Sequence, residues 1–197
     1  MTPAVAVRLE APSLRHLRQF VEAARRSRSL HRGFVSPPRT GEQYRGYLAR
    51  LASPSNQGYL ICLPNGELAG VVNVTEIVRG RFQSGYLGYH AFVPHQGQGH
   101  LAAGLALVIA RVFRRPRGLH RLEANIQPGN VRSIELVKRL GFRLEGLSPR
   151  YLKISGRWRD HERWALSSET WKALRATRSH HPPSEVSLRA SAQAAFR

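Results

Sequence analysis

The stretch Gly88-Tyr89-His90-Ala91-Phe92-Val93-Pro94-His95-Gln96-Gly97-Gln98-Gly99-His100-Leu101 decides how the chain is read. Tyr89, Phe92 and Val93 supply aromatic and β-branched strand material, and Pro94 ends the strand because it has no N–H for a ladder. Leu101, Leu105, Val108, Ile109 and Val112 then recur at helical spacing. Gly97 and Gly99 fall at the first turn of that helix, where backbone N–H groups stay unpaired and uncovered by side chains. The helix dipole adds partial positive charge at the same end. Strand, glycine turn and helix in this order suit a phosphate or pyrophosphate, although Gly-x-Gly at a helix start also serves as a plain turn. The run has neither the Gly-Lys-Ser/Thr of a nucleoside-triphosphate loop nor the third glycine of a dinucleotide fingerprint.

Working outward, the run resembles the Gln/Arg-x-x-Gly-x-Gly/Ala pyrophosphate loop of the GNAT superfamily of acetyl-CoA-dependent N-acetyltransferases. Gln96 stands first, Gly99 fourth, and Leu101 takes the final small-residue place. Downstream, HRLEAN (120–125), PGNVRS (128–133), LGFRLEG (140–146) and GRWRDH (156–161) follow in the order seen in the branch that acetylates N-terminal alanines of ribosomal proteins. The resemblance spans about Leu68 to Leu166. It implies an α/β fold of the GNAT type, with a mixed, mostly antiparallel central sheet, flanking helices and a splayed strand pair at the cofactor site. It also implies acetyl-CoA as co-substrate, no metal, and a protein N-terminal amine as acceptor, an alanine or serine on a ribosomal protein.

The composition bounds these readings. A chain of 197 residues suits one domain with a substantial core. No membrane-length apolar run and no leader pattern occur, so the expectation is a cytoplasmic protein with no membrane partner. The single cysteine, Cys62, excludes an internal disulfide and lies in an apolar run that reads as core. The formal charge of +19 invites a nucleic-acid reading, but all except three of the 31 basic residues are arginine, spread along the whole chain. Such a field is compatible with electrostatic association with the phosphate-rich ribosome surface. An RNA-recognition aromatic signature is absent.

The remaining elements follow in order. Residues 4–9 read as a first strand, and Pro12-Ser13 introduce a helix to about Arg28, with Leu14, Leu17, Phe20, Val21 and Ala24 on one face. Thr40 with Gln43 resembles a capping box opening a second helix. Strands over 58–63 and 68–77 flank a Pro64-Asn65-Gly66 turn, and another covers 85–92. The glycine helix ends near Arg114-Arg115-Pro116-Arg117-Gly118, whose arginines serve the helix terminus or the ribose phosphate of CoA. A strand over 119–126, a helix over 130–140 capped by Gly141, and a hairpin across Ser155-Gly156 complete a domain of residues 1–170. Residues 171–197 read as a basic, Ser/Ala-rich tail without periodicity, disordered or loosely attached, and His180-His181 within it lack the second pair a metal would need.

Acyl transfer from a thioester to an amine needs a pyrophosphate cradle, a strand edge for the pantetheine amides, a base for the amine and a proton for the thiolate. Gln96, Gly97, Gln98, Gly99, His100 and Leu101 form the cradle, and a splay at 91–94 would expose backbone groups of Phe92 and Val93. Asn130 and Ser133 share one face at a helix start, where Asn130 reads as an N-cap. By the resemblance, Asn130 would contact the pantetheine arm and Ser133 would stand near the thioester sulphur. The tyrosine many GNAT enzymes carry one turn on is Val137 here, and a related enzyme's base position falls at Leu152. Glu76 and Glu123 are the candidate bases, Glu145 a third, with a water relay as rival and salt-bridge duty as the plainer role. An α-amine has a pKa of about 8 against about 10 for lysine, so a weak base set leans toward an N-terminal acceptor. A small-molecule amine acetyltransferase and a ribosome- or RNA-binding protein with a vestigial CoA site are the alternatives.

Overall fold

Val71 and Val72 are neighbours on one strand, both fully buried, yet they belong to different cores. Alternate side chains of a strand point to opposite faces, so a strand buried on both sides must lie inside a three-layer structure. The computed structural model describes residues 5–179 except 115 and 117. Its seven strands are β1 (Arg8–Glu10), β2 (Gln57–Cys62), β3 (Leu68–Val78), β4 (Ser84–Ala91), β5 (Arg121–Ile126), β6 (Arg143–Ile154) and β7 (Arg157–Ser167). They form one sheet in the order β1-β2-β3-β4-β5-β7-β6, antiparallel throughout except between β4 and β5. Helices α1 (Leu17–Arg26), α2 (Arg28–His31) and α3 (Gly41–Leu51) lie on one face. Helices α4 (His100–Val112), α5 (Val131–Leu140) and α6 (Ser168–Ser179) lie on the other.

On the first face Phe20, Tyr44 and Tyr47 pack over Leu60, Val71 and Phe92, with the rings of Phe20 and Tyr44 4.7 Å apart. On the second, Leu105 and Ile109 of α4 and Ile134 and Val137 of α5 cover Val72, Leu87 and Leu122. A Cβ on Gly104 would overlap Ile61, so this glycine sets how closely α4 approaches the sheet. Cys62 is buried and its thiol is pushed up to about 11 by that burial, as a structural cysteine should be.

Three expectations change. The first strand is Arg8–Glu10, with Ala4 outside the described residues. The first helix is interrupted: a 3-10 turn over Leu14–His16 precedes α1, and Ser27 separates α1 from α2 by donating its Oγ proton to the Ala23 carbonyl at 2.7 Å. A serine that bonds back to the preceding turn bends a helix. Beyond Thr170 the chain is helical as far as Ser179, because Trp171 anchors α6 in the core of the second face. Residues 180–197, with His180 and His181, lie outside the described residues, as do Arg115 and Arg117.

The β1 end is fastened by Glu10, which binds Arg15 at 2.7 Å, Arg8 at 2.8 Å and His16 at 3.1 Å. The His16 hydrogen bond, aided by the arginines, holds the Glu10 carboxyl down at about 2, against an ordinary 4.5. A carboxyl depressed in the folded state contributes stability above its unfolded pKa and loses it as pH falls through the folded one. Between pH 4.5 and about 2, Glu10→Gln is therefore expected to lose thermal stability less steeply than the native protein. Parallel melting-temperature curves would remove Glu10 as an acid-sensitive tie.

Candidate active site

The two parallel strands touch over only three rungs, Ser84 with Arg121, Gly85 with Leu122 and Tyr86 with Glu123. Beyond Tyr86 they separate, while β4 continues beside β3 to Ala91 and β5 beside β7 to Ile126. Phe92 N–H donates to the Ala69 carbonyl at 2.9 Å, which extends the β3 ladder one residue further. Antiparallel ladders alternate, so His90, Gly88 and Tyr86 also bond toward β3, and the backbone groups of Leu87, Tyr89 and Ala91 face the gap. This corrects the expected splay. The strands part because β5 leaves β4 after Tyr86, not because Pro94 breaks the ladder. Phe92 is fully buried with its carbonyl accepting from His95 N–H at 3.0 Å, and Val93 N–H donates to Ser27 Oγ at 3.0 Å. Neither of those N–H groups is offered to a pantetheine chain.

At the open end of β4 the chain turns through Pro94 and the glycines into α4. Gly97 and Gly99 have φ of 78° and 84°, a left-handed conformation that side-chain-bearing residues rarely adopt. Gly99 caps α4 with no side-chain bond, leaving the first N–H groups of the helix open to a ligand. Gln98 steadies the turn by donating an Nε2 hydrogen to the Pro94 carbonyl at 2.9 Å, and His100 Nε2–H donates to Gln98 Oε1 at 3.2 Å. Burial and the neighbouring His95 hold the His100 imidazole below its ordinary pKa, so the cradle's positive potential comes from backbone and dipole. Leu101, half-buried, packs against the core of the second face. Gln96 Oε1 and His100 Nδ1 are buried without partners, as polar atoms awaiting a ligand would be.

Across the gap, α5 begins at its Asn130 cap. The Asn130 Oδ1 accepts from Ser133 N–H at 3.3 Å, which is the capping role read from the sequence. Ser133 Oγ donates to the Tyr89 hydroxyl at 2.7 Å. Tyr89 lies on the gap side of β4 within the second core, and burial pushes its phenol up to about 12. It therefore stays protonated, and its hydrogen rests on the Ser133 backbone carbonyl at 3.4 Å, from which it can turn to Ser133 Oγ once that group gives up its own. By its neighbours in the sequence Tyr89 is only strand material; the contact with Ser133 joins residues 44 positions apart.

The candidate bases fare differently. Glu123 stands at the apex rung and binds Arg121 at 2.9 Å, and Arg121 also holds Glu145 in a paired ion bridge. That guanidinium keeps the Glu145 carboxyl below its usual range. Both glutamates thus serve as ion-pair partners. Glu76 is exposed at a β3 bulge with φ of 50°, next to Thr75, the partner of Tyr86, and so beyond the closed end of the V. The strand geometry removes it from the gap. Leu152 follows a second bulge in the β6–β7 pair and has no titratable group. Among the described residues no three metal-ligating side chains gather.

Comparison with known proteins decides the family. The GNAT acetyltransferase domain pattern matches residues 6–143, well over half of the chain. The chain belongs to the GNAT acetyltransferases. Among GNAT relatives, the [ribosomal protein uS5]-alanine N-acetyltransferase of Escherichia coli K12 is 43% identical over 105 residues, 53% of this chain and 54% of that protein. The chain therefore spans about half the length of the curated relatives it matches. Mycobacterium smegmatis RimJ, solved with CoA-disulfide, has a TM-score of 0.76 at 26% identity, over 89% of this chain and 90% of that one. A Vibrio cholerae spermidine N-acetyltransferase, solved with CoA and spermine, gives 0.72 at 18% identity over 84% and 98% of the two chains, a likeness of fold. No described helix of this GNAT chain is long and apolar enough to cross a membrane.

Proposed function

We propose that this GNAT chain is an acetyl-CoA-dependent N-acetyltransferase that modifies a protein N-terminal amine, an alanine or serine of a ribosomal protein, in the cytoplasm. The observation that carries the reading is the V between β4 and β5, with the glycine loop at its open end and the Ser133–Tyr89 hydroxyl pair on one side. Bound CoA would place its pyrophosphate on the N–H groups from Gly97 to Leu101, in a loop left-handed at Gly97 and Gly99. Its pantetheine amides would meet the gap-facing groups of Leu87 and Tyr89 and the N–H of Ala91, whose carbonyl is held by His31 at 2.7 Å. The Ser133 hydroxyl, which bonds Tyr89 at 2.7 Å, would then stand where a thiolate leaves, with Tyr89 behind it as proton reserve.

Charge supports the acceptor class. Glu123 and Glu145, at and beside the apex, share the one guanidinium of Arg121, in a chain of formal charge +19. A polyamine with several positive charges would have to compete with Arg121 for those carboxylates, whereas a peptide N-terminus brings one amine and many carbonyls. The name of the E. coli relative points the same way. Labelled acetyl-CoA incubated with the protein and a ribosomal extract is expected to mark the N-terminal nitrogen of one ribosomal protein, read by mass spectrometry. Label confined to a small amine would replace the acceptor, and failure to bind acetyl-CoA would favour an RNA-binding role with a vestigial site.

A further inference from the structure

Six buried side-chain nitrogen or oxygen atoms among the described residues lack a hydrogen-bond partner. Gln96 and His100 carry two of them in the pyrophosphate loop, and Trp171 carries one in the core of the second face. The other three are His31 Nδ1, His90 Nε2 and Asn125 Oδ1, and they border the V on the face opposite Ser133.

Each position follows from strand alternation. Leu122, Ala124 and Ile126 of β5 enter the core under α4 and α5, so Asn125 points to the other face, two residues past the last rung shared with β4. On β4, Tyr89 faces that same core, and His90 therefore turns away from it, its ring edge-on to Phe92 at 5.2 Å. His31 ends α2 above the gap. Its Nε2–H donates to the Ala91 carbonyl at 2.7 Å, and its ring meets His90 edge-on at 5.0 Å. Two residues on, the Gly33 carbonyl accepts from Gln127 Nε2 at 2.9 Å, just beyond β5. Residues 31–33 thus cross the V as a strap with one hydrogen bond to each arm.

The unused atoms share a chemical character. The Ala91 bond fixes His31 as the Nε2–H tautomer, so Nδ1 presents a lone pair. Asn125 Oδ1 is an acceptor by constitution. A buried acceptor without a donor is costly, and two beside one gap call for a ligand that brings N–H groups. No carboxylate among the described residues hydrogen-bonds any of the three, and the Arg39 charge acts on His31. A ligand with one amine suits such a site better than a polycation.

We infer that His31 and Asn125, with His90 beside them, form the acceptor-amine site, in which Asn125 Oδ1 orients the amine and His31 Nδ1 takes its proton. This rests on the reading of the V as an acetyl-transfer site for a peptide N-terminus. The amine lone pair attacks the thioester carbonyl carbon from the strap side; the C–N bond forms and the C–S bond breaks. His31 receives the proton shed by the amine nitrogen and returns it to water, while the thiolate takes one from water through Tyr89 and Ser133. Amine plus thioester give amide plus thiol, with no net proton.

The test uses the full chain, acetyl-CoA, and two acceptors, a peptide with N-terminal alanine and spermidine, with thiol release as readout. His31→Gln can keep an N–H on the Ala91 carbonyl but lacks an imidazole. Its kcat is expected to fall at least about tenfold at unchanged acetyl-CoA affinity, and added imidazole should restore part of the activity of His31→Ala. Asn125→Ala should raise KM for the peptide about tenfold with a smaller change in kcat. Wild-type kcat in His31→Gln, or a normally folded His31→Ala that imidazole does not rescue, overturns the assignment. If the native protein acetylates spermidine and not the peptide, the N-terminal reading fails, and the His31 variants still decide the base on spermidine. Native protein that binds acetyl-CoA but transfers to neither amine overturns both.

Discussion

Gly99→Val is expected to weaken CoA binding by about a hundredfold or more while leaving the fold intact. Gly99 holds φ at 84°, and a β-branched residue there costs on the order of 1–3 kcal/mol of backbone strain. Its new Cβ would also meet Val5 Cγ2 at 3.3 Å, so the chain has little room to absorb the change in place. The affordable relaxation is rotation of the turn itself, which swings the N–H groups of the α4 start off the pyrophosphate. Each hydrogen bond to a charged group is worth about 1.5–3 kcal/mol, so losing two predicts roughly 10²- to 10⁴-fold in Kd. Gly97→Ala is the informative control. Its φ of 78° is equally left-handed, but a Cβ there meets nothing within 4 Å, so only the backbone strain applies and the loss should be smaller. Calorimetric titration with CoA checks both. Equal and small effects would mean that the loop does not carry the pyrophosphate.

The difference between those glycines marks what a sequence can carry. Local features were readable because their causes are local. Thr40 does accept from Gln43 N–H at 3.2 Å, although the Gln43 side chain turns to Arg39 N–H instead of completing the box. Gly141 ends α5 in the left-handed conformation at φ of 95°. The loop glycines take the φ values that only glycine accepts cheaply. The base, by contrast, could not be read, because its surroundings are assembled from distant segments. Glu123 has its plain salt-bridge role with Arg121, two residues away, but the same guanidinium also bridges to Glu145, 24 residues from Arg121, which no local pattern announces. His31 carried no signal in a generic Arg-rich helix end, and only the fold brings it to Ala91, 60 residues on. The splay was misplaced for the same reason: Pro94 is a local signal, whereas the divergence of β4 from β5 depends on which neighbour each strand keeps.

Ser133→Ala is expected to lower kcat about a hundredfold with acetyl-CoA affinity nearly unchanged. A positioned acid contributes about 10²–10⁴ to a proton-transfer step, and the lower end applies where water can reach the leaving thiolate. Alanine removes the hydroxyl and leaves the α5 start intact, because the Asn130 cap bonds the Ser133 backbone N–H and not its side chain. Tyr89→Phe tests the pair. The Ser133 hydroxyl now donates to Tyr89 at 2.7 Å, and without that partner it loses both its orientation and its source of a replacement proton. A fall of about tenfold is expected, less than for the serine because Tyr89 acts through Ser133. If the hydroxyls work as one unit, the double variant will be no slower than Ser133→Ala alone, since groups acting in series are not additive. Burial keeps the Tyr89 phenol near 12, so no loss of rate from its ionisation should appear below about pH 10. Additive losses in the double variant would show that Tyr89 and Ser133 act separately, and would leave Ser133 to draw its proton from solvent alone.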